Sequence, residues 1–296
     1  MKKTILVTGA EGQLGKSLQA IVHNYNDLYH FIFTDVDTLD ITDREAVRSE
    51  VRENHVDIII NAAGYTAVDK AEQEEAKAFL LNETAVANLA AVAVEFHAFL
   101  IHISTDYIFD GQSHTPYTVE SIPNPISAYG RSKWAGEVAI HQSGCRAAIV
   151  RTTWLYSPYG KNFVKTMLKL ADSNPEIRVV NDQIGAPTLA GDLALALMAI
   201  VNHQESILTI ETYHFANKGV TSWCDFAVEI MKLADKNCKV LPISTDNYPT
   251  AAIRPAYSVF DLSKIESAFH LHIPDWHISL KQIMPDIIYH YSNNIL

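Results

Sequence analysis

Two kinds of segment alternate along the chain. Short unbroken apolar runs, TILVTG, HFIFTD, DIIINAA and FLIHIST, have the length and β-branched content of strands. Between them lie longer stretches with helical patterning. Helices are predicted over Gln13–Asn26, across TDREAVRSEVREN with Thr42 or Asp43 as the N-cap, and roughly over Glu74–Phe96. SAYGRSKWAGE opens a further helix, and AAIVRTTWLY reads as the next strand. The alternation continues through FVKTMLKLA, IRVVND, LALALMAIV, YHFAN and WCDFAVEIMKLA. Strands that are apolar at every position are covered on both faces, so the sheet is expected to be parallel. Strand–helix alternation throughout predicts an α/β fold with a doubly wound parallel sheet. After about Thr152 the chain becomes richer in Pro, Tyr and Asn, as in YSPYGKN and NYPTAAIRPAYS. We expect a first domain over residues 1–155. Residues 156–296 mainly form a smaller C-terminal lobe, interleaved with the last strands and helices of the first.

Composition narrows the classes of function. With 296 residues, 48% of them hydrophobic, the chain can bury a large core. Its net charge of −11, with no dense Lys/Arg run, argues against nucleic-acid binding. An anionic ligand would need local positive groups working against that field. Three cysteines, Cys145, Cys224 and Cys238, form no CxxC pair, which fits a reducing compartment and no zinc site. The apolar run of MKKTILVTG is too short for a signal peptide and ends in glycine. No stretch reads as long and apolar enough to span a bilayer, so a cytoplasmic protein without a membrane partner is expected.

Candidate chemistry begins at VTGAEGQLG. Gly9, Gly12 and Gly15 lie directly after the first strand and enter the first helix. Glycines there permit a tight turn and close approach of backbone to a pyrophosphate, which the N–H groups of the helix N-terminus attract. Dinucleotide binding is the favoured reading. Asp35 ends the second strand, where a carboxylate either accepts hydrogen bonds from ribose hydroxyls or caps a turn. The first role disfavours a 2′-phosphate and leans toward NADH. Asp40 to Thr42 lies beside the adenine or caps a helix. Ala62, Ala63 and Gly64, after the third strand, either let a flat cofactor pass or pack a tight corner.

Tyr129 and Lys133 are four residues apart and share a helix face. Bringing a phenol from its usual pKa of about 10 to about 7 takes about 4 kcal/mol. One ammonium about 4 Å away, at an effective dielectric of about 20, supplies roughly that. Such a tyrosine gives a proton readily near neutral pH. ISTDY brings the hydroxyls of Ser104 and Thr105 to the same sheet edge. Glycine turn, Ser/Thr after the fourth strand and Tyr-x-x-x-Lys together resemble the extended branch of the short-chain dehydrogenase/reductase family, with its Rossmann fold.

The resemblance narrows with NAAGYTAVDKAE, STDYIFDG, YGRSKWAGE, RTTWLYSPYGKNFVKTML, VVNDQIGAPT, GVTSWCDFA and RPAYSVFDLSKI, which span most of the chain. Together they are similar to the dTDP-4-dehydrorhamnose reductase family. That resemblance implies reduction of the 4-keto group of a dTDP-sugar by NADPH or NADH, to give dTDP-L-rhamnose for surface polysaccharide. It implies that Tyr129 is the proton donor, that Lys133 holds the nicotinamide ribose and lowers the tyrosine pKa, and that Thr105 bonds the carbonyl oxygen. Gly9, Gly12, Gln13, Leu14, Asp35, Asp40, Ile41 and the segment Ala62, Ala63, Gly64, Tyr65, Thr66 would hold the cofactor. Asp106, Tyr107 and Trp154 would line the sugar site, with core packing the other reading for Trp154. Asn162, Lys161, Lys165 and Arg254 are candidates for the substrate pyrophosphate. Glutamates that hold magnesium at a dimer contact in some members are replaced by Ser17 and Gly191, so no metal is expected, and the chain is a monomer or a homodimer. Two other readings stay open: a reductase of a different 4-keto-sugar nucleotide, or a non-catalytic regulatory subunit of the same fold.

Overall fold

The computed structural model describes residues 2–293. Five strands, β1 (Lys3–Thr8), β2 (Tyr29–Thr34), β3 (Val56–Asn61), β4 (Phe99–Thr105) and β5 (Ala147–Thr152), join the Ile210–Phe215 strand in one sheet. From one edge the order is Ile210–Phe215, β5, β4, β3, β1, β2, and every pairing is parallel. Among the helices are α1 (Gln13–Ile21), α2 (Arg44–Glu53), α3 (Val68–Ala71), α4 (Glu75–Phe79), α5 (Ala85–Phe96) and α6 (Ala128–Ser143). The chain leaves β1 for β2 on one side and then crosses to β3 on the other. That reversal opens a crevice at the strands' C-terminal edge, where ligands of such sheets lie.

Period-two alternation sends neighbouring side chains of each strand to opposite faces. Ile5, Val7, Ile58, Ile60, Ile101 and Val150 pack against α1 and the Ala190–His203 helix. Leu6, Ile59, Leu100 and Ile149 pack against α2, α5 and α6 on the other face. Both faces are therefore dry, as unbroken apolar strands require. A further apolar cluster joins Tyr156 and Phe226 to Trp276 and Leu280, among the helices Phe163–Ser173, Trp223–Leu233 and Trp276–Ser292.

Several elements differ from the expectation. The Gln13–Asn26 helix ends at Ile21 and continues only as a 3₁₀ turn, Val22–Asn24. The Thr42-or-Asp43 choice falls to Asp43, whose side chain accepts from the N–H groups of Glu45 and Ala46. The Glu74–Phe96 helix is broken by a π-helical turn, Leu80–Thr84. IRVVND forms a strand, Glu176–Val180, outside the main sheet, paired in parallel with Lys239–Ile243. Counted through its π turn, Glu75–Phe96 is a helical run of 22 residues that contains an 18-residue window of mean hydropathy 1.3, long and apolar enough to cross a membrane. This corrects the expectation that no such stretch exists. Its apolarity serves the core here, because Val86, Leu89, Ala90 and Val92 are buried beneath the sheet.

Candidate active site

The glycine turn builds one wall of the crevice. Gly9 has φ +70°, and a Cβ there would lie 2.6 Å from the Ala63 nitrogen at the end of β3. Only glycine combines that left-handed backbone with so close an approach. α1 then starts at Gly12 with no side-chain cap and no acidic residue in its first turn. Its free N–H groups suit a phosphate, so the residues fit a dinucleotide on the chemistry of the donors. Asp35 accepts from the N–H groups of Glu11 and Val36, both at 2.8 Å, so it braces the glycine turn. Asp40 accepts from the hydroxyl and N–H of Thr42, at 2.7 and 2.9 Å, which hold its carboxyl below the usual range.

The cleft has a volume of about 990 Å³. Its lining includes Gly9, Gly12, Gln13, Leu14, Asp35, Asp40, Ile41 and Ala62 through Thr66 from the first half. Thr105, Asp106, Tyr107, Tyr129, Lys133, Trp154, Lys161 and Asn162 line it too. Arg254 stands outside that lining. Its guanidinium forks onto the Asp69 carboxylate at 2.7 and 3.1 Å and also donates to the Ala252 carbonyl. Gln13 and Asn162, far apart in sequence, meet across the cleft, the Asn162 amide donating to Gln13 Oε1 at 3.0 Å. Asn162 also caps the Phe163–Ser173 helix by accepting from the Lys165 N–H.

Thr105 closes β4, and its hydroxyl donates to Asp106 Oδ1 at 3.0 Å while accepting from the Tyr107 N–H at 3.2 Å. Asp106 is buried, and burial raises its pKa against the opposing pull of the Ser258, Thr105 and Thr153 hydroxyls. Ser127 caps α6 and sets Tyr129 in the first turn, its ring edge-on to Tyr107 with centroids 5.4 Å apart. Burial pushes Tyr129 up to about 12, and the Thr105 hydroxyl only partly opposes this. This corrects the expectation of a phenol tuned toward neutrality by Lys133. The lysine ammonium is engaged elsewhere: Nζ donates to the Ile103 carbonyl at 2.6 Å and lies 3.3 Å from His102 Nε2. Desolvation by the surrounding fold is the largest influence on the phenol, and the Asp106 charge adds to it.

Sequence reasoning missed two residues. Asn82, in the π turn, is buried, accepts from the Tyr65 N–H at 2.8 Å and donates to the Tyr65 carbonyl and Ser132 hydroxyl, both at 3.0 Å. It thereby clamps the Ala62–Thr66 segment to α6. An amide directly after the apolar Phe79–Leu81 run was the available signal. Trp223 lines the cleft and stacks on Trp154, with centroids 3.6 Å apart and planes 12° from parallel. Trp154 has φ +46°, a rare backbone for a bulky residue and a sign of a constrained site.

The RmlD substrate binding domain model matches residues 1–288. A dTDP-4-dehydrorhamnose reductase of Aggregatibacter actinomycetemcomitans is 41% identical over 290 residues, covering 94% of this chain and 97% of that protein. A probable dTDP-4,6-dihydroxy-2-methyloxan-3-one 4-ketoreductase of Streptomyces antibioticus is 38% identical over 289 residues, covering 96% and 95%. Among solved structures, the dTDP-4-dehydrorhamnose reductase of Bacillus anthracis in complex with NADP superposes with a TM-score of 0.91 at 40% identity, covering 97% of this chain and 100% of that one. The glycine turn, the cleft and these full-length likenesses place the chain in the RmlD substrate binding domain family of reductases.

Proposed function

We propose that the protein reduces the 4-keto group of dTDP-4-dehydro-6-deoxy-L-mannose to dTDP-L-rhamnose with NADPH or NADH. The observation that carries this reading is the convergence of Thr105, Tyr129 and Lys133 on the cleft that begins at the uncapped N-terminus of α1. When bound, the reduced nicotinamide supplies the hydride for the sugar C4 carbonyl carbon. Tyr129 protonates the alkoxide that develops on the C4 oxygen. A phenol raised to about 12 stays protonated through the whole working range and remains a better acid than an alcohol. Thr105 hydrogen-bonds the same oxygen and shares its charge. Lys133 orients the cofactor ribose. Gly9, Gly12, Gln13, Leu14, Asp35, Asp40, Ile41 and Ala62 to Thr66 hold the dinucleotide. Asp106, Tyr107 and Trp154 face the sugar.

Asn162 and Lys161 supply the polar rim for the substrate diphosphate. Arg254 reaches that diphosphate only by leaving Asp69, so its part is conditional on the pair opening. Residues 1–155 serve the cofactor, and 156–296 mainly serve the nucleotide sugar. Three free, buried cysteines support a reducing, cytoplasmic setting.

The test is loss of reduced-nicotinamide absorbance with the keto-sugar made in situ by the upstream dehydratase and epimerase, and NMR of the product. Oxidation that needs both enzymes and yields dTDP-L-rhamnose supports the reading. Bound cofactor without oxidation overturns it. The Streptomyces antibioticus relative favours a second reading, reduction of a differently substituted keto-sugar nucleotide, which the same product analysis separates.

A further inference from the structure

A line of polar side chains runs beneath the cleft through Thr8, Asn61, His102 and Lys133. The Thr8 hydroxyl donates to Asn61 Oδ1 at 2.7 Å, and the backbone N–H of Ala63 donates to the same atom at 3.2 Å. A backbone N–H can only donate, so the amide cannot be turned round and its NH₂ faces the other way. That NH₂ lies 3.0 Å from His102 Nδ1. Nδ1 must accept, and the single proton of the neutral ring therefore sits on Nε2. His102 is fully buried, and burial holds it well below its usual pKa, so the ring is neutral. Its Nε2–H faces Lys133 Nζ at 3.3 Å, while Nζ also donates to the Ile103 carbonyl at 2.6 Å. An N–H opposite an ammonium is repulsive. Opposite an amine it is a hydrogen bond to the nitrogen lone pair.

We propose that His102, its tautomer set by Asn61, is a positioning residue that favours the neutral amine of Lys133 and makes this lysine exchange a proton in the working pH range. Burial acts in the same direction and brings Lys133 down to about 8. The other charged and titratable groups around it do not reverse this. Glu137, one turn along α6, acts the opposite way, but Arg151 at 2.7 Å and the Ser104 hydroxyl already engage its carboxylate. Tyr129 on the same helix, and Asp106 and Tyr107 after β4, are all pushed toward their neutral forms by burial. The exchange itself is balanced: the ammonium loses one proton to water, and the amine left behind accepts from Nε2–H and donates to Ile103.

The part of Lys133 in reduction rests on the proposed function, whereas its titration does not. The test is therefore NMR of protein carrying ¹³C at lysine Cε, without cofactor, with the Lys133 signal assigned from Lys133→Met. One lysine is expected to titrate near 8. Asn61→Asp accepts from Nδ1–H, turns Nε2 into an acceptor, and is expected to raise the Lys133 proton affinity about tenfold or more. His102→Gln places an amide N–H where Nε2–H stood and is expected to leave the midpoint in place. Should Asn61→Asp fail to fold, His102→Leu removes the donor and is expected to raise the midpoint too. A Lys133 that titrates with the surface lysines overturns the proposal, as does a midpoint unmoved in folded Asn61→Asp or His102→Leu. If the alkaline limb of kcat/KM stays put while the NMR midpoint moves, the titration stands and the role of Lys133 in reduction falls.

Discussion

At the scale of single residues, the site depends on side chains whose chemistry is set by burial. Tyr129 is shielded enough to remain a neutral acid, so Tyr129→Phe removes the proton and little else. The expected result is a fall in kcat of about 10²–10⁴-fold, with cofactor affinity from fluorescence titration unchanged. A retained rate would remove Tyr129 from the reaction. Gly9→Ala sets a methyl against the Ala63 nitrogen on a left-handed backbone, and urea denaturation should show a loss of at least about 1–3 kcal/mol. Both residues were legible in the sequence because their signals are local, a turn of glycines and a spacing of four. The ion pair that holds Arg254 was not legible, for the opposite reason. Its partner Asp69 lies 185 positions away, and nothing near either residue announces the pair.

At the scale of elements, six strands and the helices between them could be read from unbroken apolar runs and helical spacing. The π turn could not, since one extra residue inside a helix leaves the apolar stripe almost intact while rotating Asn82 inward. Two-residue strands such as Leu155–Tyr156, paired with Thr188–Leu189, are too short to carry any period. Asn82→Ala would leave the Tyr65 N–H and carbonyl without their partner. We expect a stability loss of about 1–3 kcal/mol and a raised KM for the cofactor, because Ala62–Thr66 loses its clamp. An unchanged KM would confine Asn82 to a structural part. A second buried link joins α6 to β5 and the Ile210–Phe215 strand: Arg151 forks onto Glu137 and lies 3.3 Å from His214 Nε2. Glu137→Ala would strand a buried guanidinium, and a loss of about 3–5 kcal/mol is expected in chemical denaturation.

At the scale of the whole molecule, charge and protonation set the dependence on solution conditions. Burial and Arg151 depress His214 to about 3 in the folded chain, against an unfolded value of 6.5. The unfolded chain then binds more protons below pH 6.5, so stability is full above that pH and declines as pH falls toward 3. Urea midpoints measured from pH 7 down to 5, above the carboxylate range, should fall, and His214→Phe should reduce the slope and leave the share of His102, which burial also holds well below its usual value. A flat wild-type profile would contradict the burial argument. The net charge of −11, with Asp35 and Glu11 among the residues lining the cleft, opposes an added 2′-phosphate. NADH should therefore have the higher kcat/KM at low salt, and the gap should narrow as salt rises and the Debye length falls below about 10 Å. A salt-independent preference for NADPH would show that local contacts outweigh the field.

The paired indoles of Trp154 and Trp223 carry an optical consequence. Two such chromophores stacked only 3.6 Å apart with nearly parallel planes couple their electronic transitions, so the near-ultraviolet circular dichroism should show a split band. The chain has four tryptophans, and the other two, Trp134 and Trp276, are outside this stack. Because both rings border the cleft, the splitting would change as a sugar nucleotide settles against them, even when no hydride has moved. Occupancy of the sugar side could thus be followed by light alone, with the Trp223→Phe protein, its band unsplit, as the blank.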